Sequence, residues 1–304
     1  MSSYVKRAIS AGLAASITLG ACVLPGFTSV AEAALFPPGF LRATPAPKPD
    51  YDAIPLESNA AVRRWVHYFT HQNRDRFDRF MERGARYRIL VQDILEENGV
   101  PSEMYYLGMI ESGYASQARS QARAVGIWQF IAPTARRYGL RVDNEVDERL
   151  DVLRSTKAAA RYLKDLKNEF GSWYMAMAAY NCGEGRVRSA IRRHRTRDFW
   201  TLQKRRALPR ETAEYVPKFQ AAMVIARNPA KYGFERKTHY EYPEFKRVKI
   251  RGQLALHEVA KREKVSVMSL KALNPHLLKN KLPSARRGYD VWVLAGGRSA
   301  RVVQ

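Results

Sequence analysis

The sequence predicts a mainly α protein in two parts: a large helical domain, then a small α+β unit running strand, helix, helix, strand. Three observations predict it. Apolar residues recur at helical spacing almost without a break from Asn59 to Gly233. Between Trp173 and Tyr180 the chain is apolar on every side, as a helix at the centre of a domain must be. After Tyr232-Gly233 the texture changes to short segments separated by turn residues.

The first 33 residues read as a leader. Lys6 and Arg7 precede an uncharged apolar run from Ala8 to Leu24, Pro25-Gly26 breaks it, and Ala31-Glu32-Ala33 offers a small-x-small cleavage site. Leu19-Gly20-Ala21-Cys22 also resembles a lipobox, in which cleavage before Cys22 would leave an acyl anchor there. Both readings export the chain, to the periplasm or cell wall, with outer-membrane association if Cys22 is lipidated. Residues 34–58 are rich in proline and read as a linker or surface-hugging arm.

The helical domain is expected over 59–233. Its stripes are Trp65, Val66, Tyr68 and Phe69, then Phe77, Phe80 and Met81, then Leu90, Val91, Ile94 and Leu95, stopped by Asn98-Gly99 and Pro101. A short helix over 102–112 ends at Gly113, and another over 133–138 ends at Gly139. A strong helix over 155–170 turns Ala159, Tyr162, Leu163 and Leu166 inward. Ser172 caps the apolar helix, and a final helix over 211–227 carries Tyr215, Phe219 and Val224. Beyond Gly233, strands are expected at 240–250 and 289–294 and helices at 256–264 and 268–273, forming a second domain over 246–295.

Lys and Arg total 52 against 29 Asp and Glu, a formal +23 over 304 residues. Such a surplus suits polyanions: nucleic acid, anionic lipid or an anionic wall polymer. The basic residues concentrate between Arg186 and Arg210. The export leader removes nucleic acid as a normal partner, leaving a membrane surface or anionic wall polymer. Only Cys22 and Cys182 are present, so cleavage after Ala33 leaves one unpaired thiol, expected to be buried.

Four short motifs carry chemistry. Glu111 follows Met104 and Leu107 at spacings of three and four, which turns its carboxylate to the apolar face in the last turn of its helix. Burial and the electron-rich helix end both disfavour the charged form, so its pKa should rise. A carboxylic acid still protonated near neutrality is what glycosidic cleavage requires, because the leaving oxygen must be protonated. Gly126-Ile127-Trp128-Gln129-Phe130 sets an amide among large apolar groups, the composition of sugar sites and of core turns alike. Tyr180-Asn181-Cys182-Gly183 ends the apolar helix with buried polar groups that need partners. Glu211 to Pro217 begins the last helix and contains Tyr215.

In order and spacing, Glu111-Ser112-Gly113, Gly126 to Phe130, Ala179-Tyr180-Asn181-x-Gly183 and Glu211-x-x-x-Tyr215-Val216 resemble the soluble-lytic-transglycosylase domain, most closely the membrane-bound lytic murein transglycosylase D group. The resemblance covers about residues 60–233 and implies a lysozyme-like catalytic domain that cleaves the β-1,4 bond between N-acetylmuramic acid and N-acetylglucosamine in peptidoglycan. It implies Glu111 as acid, then base, closing a 1,6-anhydro ring on the muramic acid. It also implies that Ser112, Gln129, Tyr180, Asn181 and Tyr215 line the cleft, with Trp128 and Phe130 shaping its wall, and that no metal or cofactor takes part. Cys182 departs from the family, where a small residue is common. Residues 246–295 resemble a degenerate lysin-motif (LysM) domain, its "VSVMSLKALNP" segment kept but its usual opening replaced by Gln253-Leu254-Ala255-Leu256. Two rival readings stand beside this one. A hydrolytic goose-type lysozyme would use acids such as Asp143, Glu145, Asp147 or Glu148 to activate water, and a non-catalytic protein would only bind peptidoglycan.

Overall fold

The computed structural model describes residues 54–235 and 245–295. The leader, Cys22, most of the proline-rich arm and the start of the strand expected from residue 240 lie outside the described residues. The protein is mainly helical.

Ile54, the first described residue, already packs against the helical domain. Ile54 is buried, and Pro55 O accepts hydrogen bonds from Tyr174 Oη (2.8 Å) and Gln220 Nε2 (2.8 Å). The end of the arm therefore lies against the helical domain. Helix α1 (Ala60–His67) starts at Asn59, whose side chain accepts from Val62 N, and runs into a π-turn (Tyr68–Gln72). Helices α2 (Arg74–Ala85) and α3 (Arg88–Glu97) follow, and Asn98-Gly99 ends the second as expected. A 3₁₀ turn (Ser102–Met104) leads into α4 (Tyr105–Ser112). After a long loop come α5 (Ala132–Arg137), α6 (Val152–Phe170), α7 (Trp173–Cys182), α8 (Glu184–His194), α9 (Phe199–Lys204) and α10 (Arg210–Arg227).

Helix α6 starts three residues earlier than its apolar pattern predicts, because Asp151 caps it and accepts from Arg154 N at 2.9 Å. The predicted inward residues Ala159, Tyr162, Leu163 and Leu166 are all buried. Helix α7 is central: Met175 to Ala179 are wholly buried, and the helix packs between α6 and α10. Its alanines allow close approach, while each buried Met or Leu contributes about 1.5–3 kcal/mol. Ser172 Oγ accepts from Met175 N at 3.2 Å and fixes where it begins.

The C-terminal unit pairs β1 (Phe245–Ile250) with β2 (Tyr289–Leu294) antiparallel, Phe245 opposite Leu294 and Ile250 opposite Tyr289. Helices α11 (Leu256–Glu263) and α12 (Val267–Leu273) cover the pair. Ile250, Leu256, Val259, Leu270, Leu282, Val291 and Val293 form its core, and Val146 of the helical domain completes it. The segment around Val146 is held along the C-terminal unit: Asp147 N donates to His276 O (2.9 Å), and Leu278 N donates to Glu145 O (3.0 Å). Among the described residues no helix is long and apolar enough to cross a membrane.

Candidate active site

Glu111 occupies the penultimate position of α4, whose residues Tyr105 to Ile110 are all buried. The helix stops there because Gly113 turns left-handed (φ 57°), with its N–H on Met109 O. A side chain at that position would place its Cβ 2.2 Å from Phe80 Cδ1, so only glycine fits. The half-buried carboxylate faces α10. Tyr215 Oη donates to Glu111 Oε1 in a short hydrogen bond. One turn further along α10, Lys218 Nζ donates to Ile110 O at 3.2 Å, bringing its charge beside the acid.

Burial pushes the Glu111 carboxyl up to about 7, against the hydrogen bond from Tyr215 and the charge of Lys218, with Glu211 adding a little in the same direction. Burial also holds the Lys218 ammonium below its usual range, although Glu111 acts to raise it. The phenols of Tyr180 and Tyr215 are held well above their usual values, first by burial and then by the charge of Glu111. Both therefore remain hydrogen-bond donors. The acid sits among donors and one cation in a poorly solvated place, which lets it hold a proton near neutrality and release it when a basic oxygen arrives.

The loop 124–130 forms the opposing wall. Val125 and Phe130 exchange two backbone hydrogen bonds (3.0 and 3.2 Å) and close a tight turn between them. Gly126 (φ 81°) lies so close to Arg149 O that a Cβ would sit 2.1 Å from it. Gln129 also has a positive φ (47°), rare for a residue with a side chain, and its Nε2 donates to Gly126 O at 2.7 Å. Ser112 Oγ lies 3.0 Å from Ile127 O and joins this loop to the end of α4. Tyr180 Oη donates to Trp128 O (2.7 Å) and joins it to α7. Asn181 Oδ1 accepts from Thr212 Oγ1 (2.7 Å) and ties the end of α7 to α10.

Glu111 and Tyr215 thus meet directly, and Tyr180 lies within electrostatic reach of the acid. Ser112, Gln129 and Asn181 instead make contacts that hold the surrounding loops and helix ends. Trp128 presents no face to a sugar. It is fully buried, with Nε1 on Thr156 Oγ1 at 2.9 Å, and it shapes the wall from behind, as does Phe130. Cys182, expected to be buried, is half-buried and free. Sequence reasoning missed Lys218 and Thr212. Lys218 stands three residues after Tyr215, on the same helix face, and that spacing was the available signal. Among the described residues no group of three or more His, Cys, Asp or Glu is placed to hold a metal ion.

The four acids named as candidates for a hydrolytic site are each paired with an arginine. Asp143 and Glu145 pair with Arg141 (2.5 and 2.9 Å). Asp147 pairs with buried Arg149 (2.8 Å), while Glu148 takes Arg154 (3.3 Å) and Tyr289 Oη (2.8 Å).

The family described as Transglycosylase SLT domain matches residues 91–203. The membrane-bound lytic murein transglycosylase D of Escherichia coli is 37% identical over 197 residues, 63% of this chain and 43% of the relative, so the chain spans less than half the length of that relative. A membrane-bound lytic murein transglycosylase F 1 of Alkalilimnicola ehrlichii is 32% identical over 123 residues, 39% of this chain and 24% of that one. Among solved structures, the 70 kDa soluble lytic transglycosylase of Escherichia coli aligns with 47% of this chain and 25% of its own at 23% identity and a TM-score of 0.39. Residues 91–203 are a transglycosylase SLT domain, in a chain homologous to membrane-bound lytic murein transglycosylase D.

Proposed function

We propose that the protein is a peptidoglycan lytic transglycosylase that cleaves the β-1,4 bond between N-acetylmuramic acid and N-acetylglucosamine, with Glu111 as acid and then base. The observation that carries this reading is the enclosed Glu111 carboxyl, raised to about 7 and gripped through one oxygen by Tyr215.

Tyr215 engages Oε1, which leaves Oε2 to carry the exchanging proton. The protonated acid donates to the glycosidic oxygen as the bond to the muramic anomeric carbon breaks. The carboxylate so formed is steadied by Tyr215 and by the Lys218 charge. It then removes the proton of the sugar's own 6-hydroxyl, whose oxygen bonds to the anomeric carbon. The proton has returned to Glu111, no water is consumed, and the product is a 1,6-anhydromuramoyl end. One carboxyl suffices because the nucleophile belongs to the substrate, whereas two-carboxylate glycosidases need a second acid for water or covalent attack. The pairing of Asp143, Glu145, Asp147 and Glu148 with arginines supports ring closure over hydrolysis.

A peptidoglycan substrate puts the chain in the cell envelope, in keeping with the leader expected over residues 1–33, and makes glycan strands its partner. Residues 246–295 take the role of a LysM-like accessory unit. The test is Glu111→Gln, which keeps the shape of the side chain but cannot cycle a proton. Release of muropeptides from purified sacculi should fall by at least about a thousandfold while sedimentation with sacculi persists. Undiminished release by the variant would refute the assignment.

A further inference from the structure

Between the two domains lies a cavity of about 300 Å³, at the small end for ligand pockets. None of the residues lining it is Glu111, Gln129, Tyr180 or Tyr215. It is walled from the helical side by Arg86, Tyr87 and Gln117 and from the C-terminal side by Lys271, Lys279 and Trp292. Among the described residues, Arg86, Lys271 and Lys279 enter no ion pair. One acid, Asp151, also reaches the cavity, but it is buried and already countered by Arg154 and by Trp292 Nε1 at 2.7 Å. The cavity is therefore cationic, with three aromatic residues, Tyr87, Phe245 and Trp292, in its wall. Cations gathered around a hollow without partners favour an anion, and the aromatic surface favours an organic one.

We propose that this cavity binds the free carboxylates of the peptide stems carried by wall glycan strands, a subsite distinct from the cleft that cuts the sugar chain. The proposal rests on peptidoglycan being the substrate. A volume of about 300 Å³ admits a short peptide end and not a run of hexoses. The cavity also shares a turn with the cleft. Gln117 is followed by Ala118, whose carbonyl accepts from Gly126 N at 2.9 Å in the loop that presents Gln129. A strand lying in the cleft would thus have a peptide stem within reach of a cationic hollow made by both domains. The cavity is formed only when the C-terminal unit is docked, which gives that unit a part in substrate recognition apart from any sugar-binding groove of its own.

Titration calorimetry on the full-length protein tests this, using a soluble wall-type tetrapeptide with free carboxylates and the same peptide amidated. The acidic peptide should bind at least about tenfold more tightly, since hydrogen bonds to charged groups are the strong ones. Arg86→Gln with Lys271→Gln and Lys279→Gln should weaken it by about tenfold or more, and Glu111→Gln should leave it unchanged. In kinetics, the triple variant should raise KM for peptide-bearing strands by a similar factor and leave peptide-free strands alone. Equal binding of the two peptides, or no loss in a variant whose melting temperature is unchanged, would overturn the proposal. Failure of the wild-type protein to cut either strand would instead overturn the proposed function, and the binding measurements would still decide the cavity.

Discussion

At the scale of the residue, what matters is that the half-buried Glu111 carboxyl is hard to ionise. Its carboxyl lies at about 7 against a usual 4.5, so under the proposed mechanism the acid form would be the active one. The rate kcat/KM should then be flat below about 7 and fall tenfold per pH unit above it. Tyr215→Phe removes a hydrogen bond that lowers this value, so the falling limb should move to higher pH while kcat drops by about 10- to 100-fold from lost positioning. A limb that stays in place would mean another group titrates. The same shift has a stability sign. The folded state holds the Glu111 proton more tightly than the unfolded chain, so the associated stability is complete below about 4.5 and lost as pH rises through about 7. Glu111→Gln should therefore raise unfolding free energy by about 1–3 kcal/mol at pH 8, with the gain vanishing near pH 4.5 in urea titrations. Glu111 and Tyr215 were legible because spacing puts them on inward helix faces. Lys218 was not, since a lysine within an apolar pattern reads as a solvent-facing residue until the carbonyl of Ile110 is seen to hold it.

Among the elements, the loop 124–130 is the most exacting. Gly126 has both a left-handed backbone and Arg149 O against its Cα, so Gly126→Ala should cost about 2–4 kcal/mol from strain and displacement combined. Thermal unfolding measures the loss, and a cost below 1 kcal/mol would show that the loop can move away from Arg149. Helix α7 was the easiest element to read: a capping serine, a run of wholly buried residues and a terminal glycine mark it at every point. Helix α9 was not foreseen, because six residues with Phe199 and Leu202 as the buried pair give too short a period to register. The start of α6 was missed because Asp151, which caps it, also serves the junction with the C-terminal unit. The positive φ of Gln129 left no trace in sequence, since a glutamine seldom marks a left-handed turn.

In the whole molecule, the two units are joined by more than a connecting chain. Arg154 stands at the centre of the junction. It pairs with Asp151 and with Glu148 (3.3 Å), donates to Asp290 O (2.7 Å), and lies over the rings of Tyr289 and Trp292. Buried His276 lies beside Asp151 (3.2 Å), and burial holds its imidazole down to about 4, so it is neutral in the working range. Removing the guanidinium leaves two buried acids uncompensated. Arg154→Ala should therefore cost about 3–5 kcal/mol and separate the unfolding of the two units. A single undisturbed transition in calorimetry would contradict that. The strand, helix, helix, strand order of the second unit was legible in periodicity and turn residues. Its docking was not, because the joining contacts run between residues more than a hundred positions apart, such as Asp147 with His276 and Glu148 with Tyr289.

The central claim is that one acid passes a proton to and from the substrate while water stays out of the reaction. The most direct measurement is mass spectrometry of muropeptides released from sacculi in water enriched in oxygen-18. The account predicts muramoyl ends one water lighter than the hydrolytic product and free of the label. Labelled, full-weight ends would contradict it and assign the protein to the hydrolases.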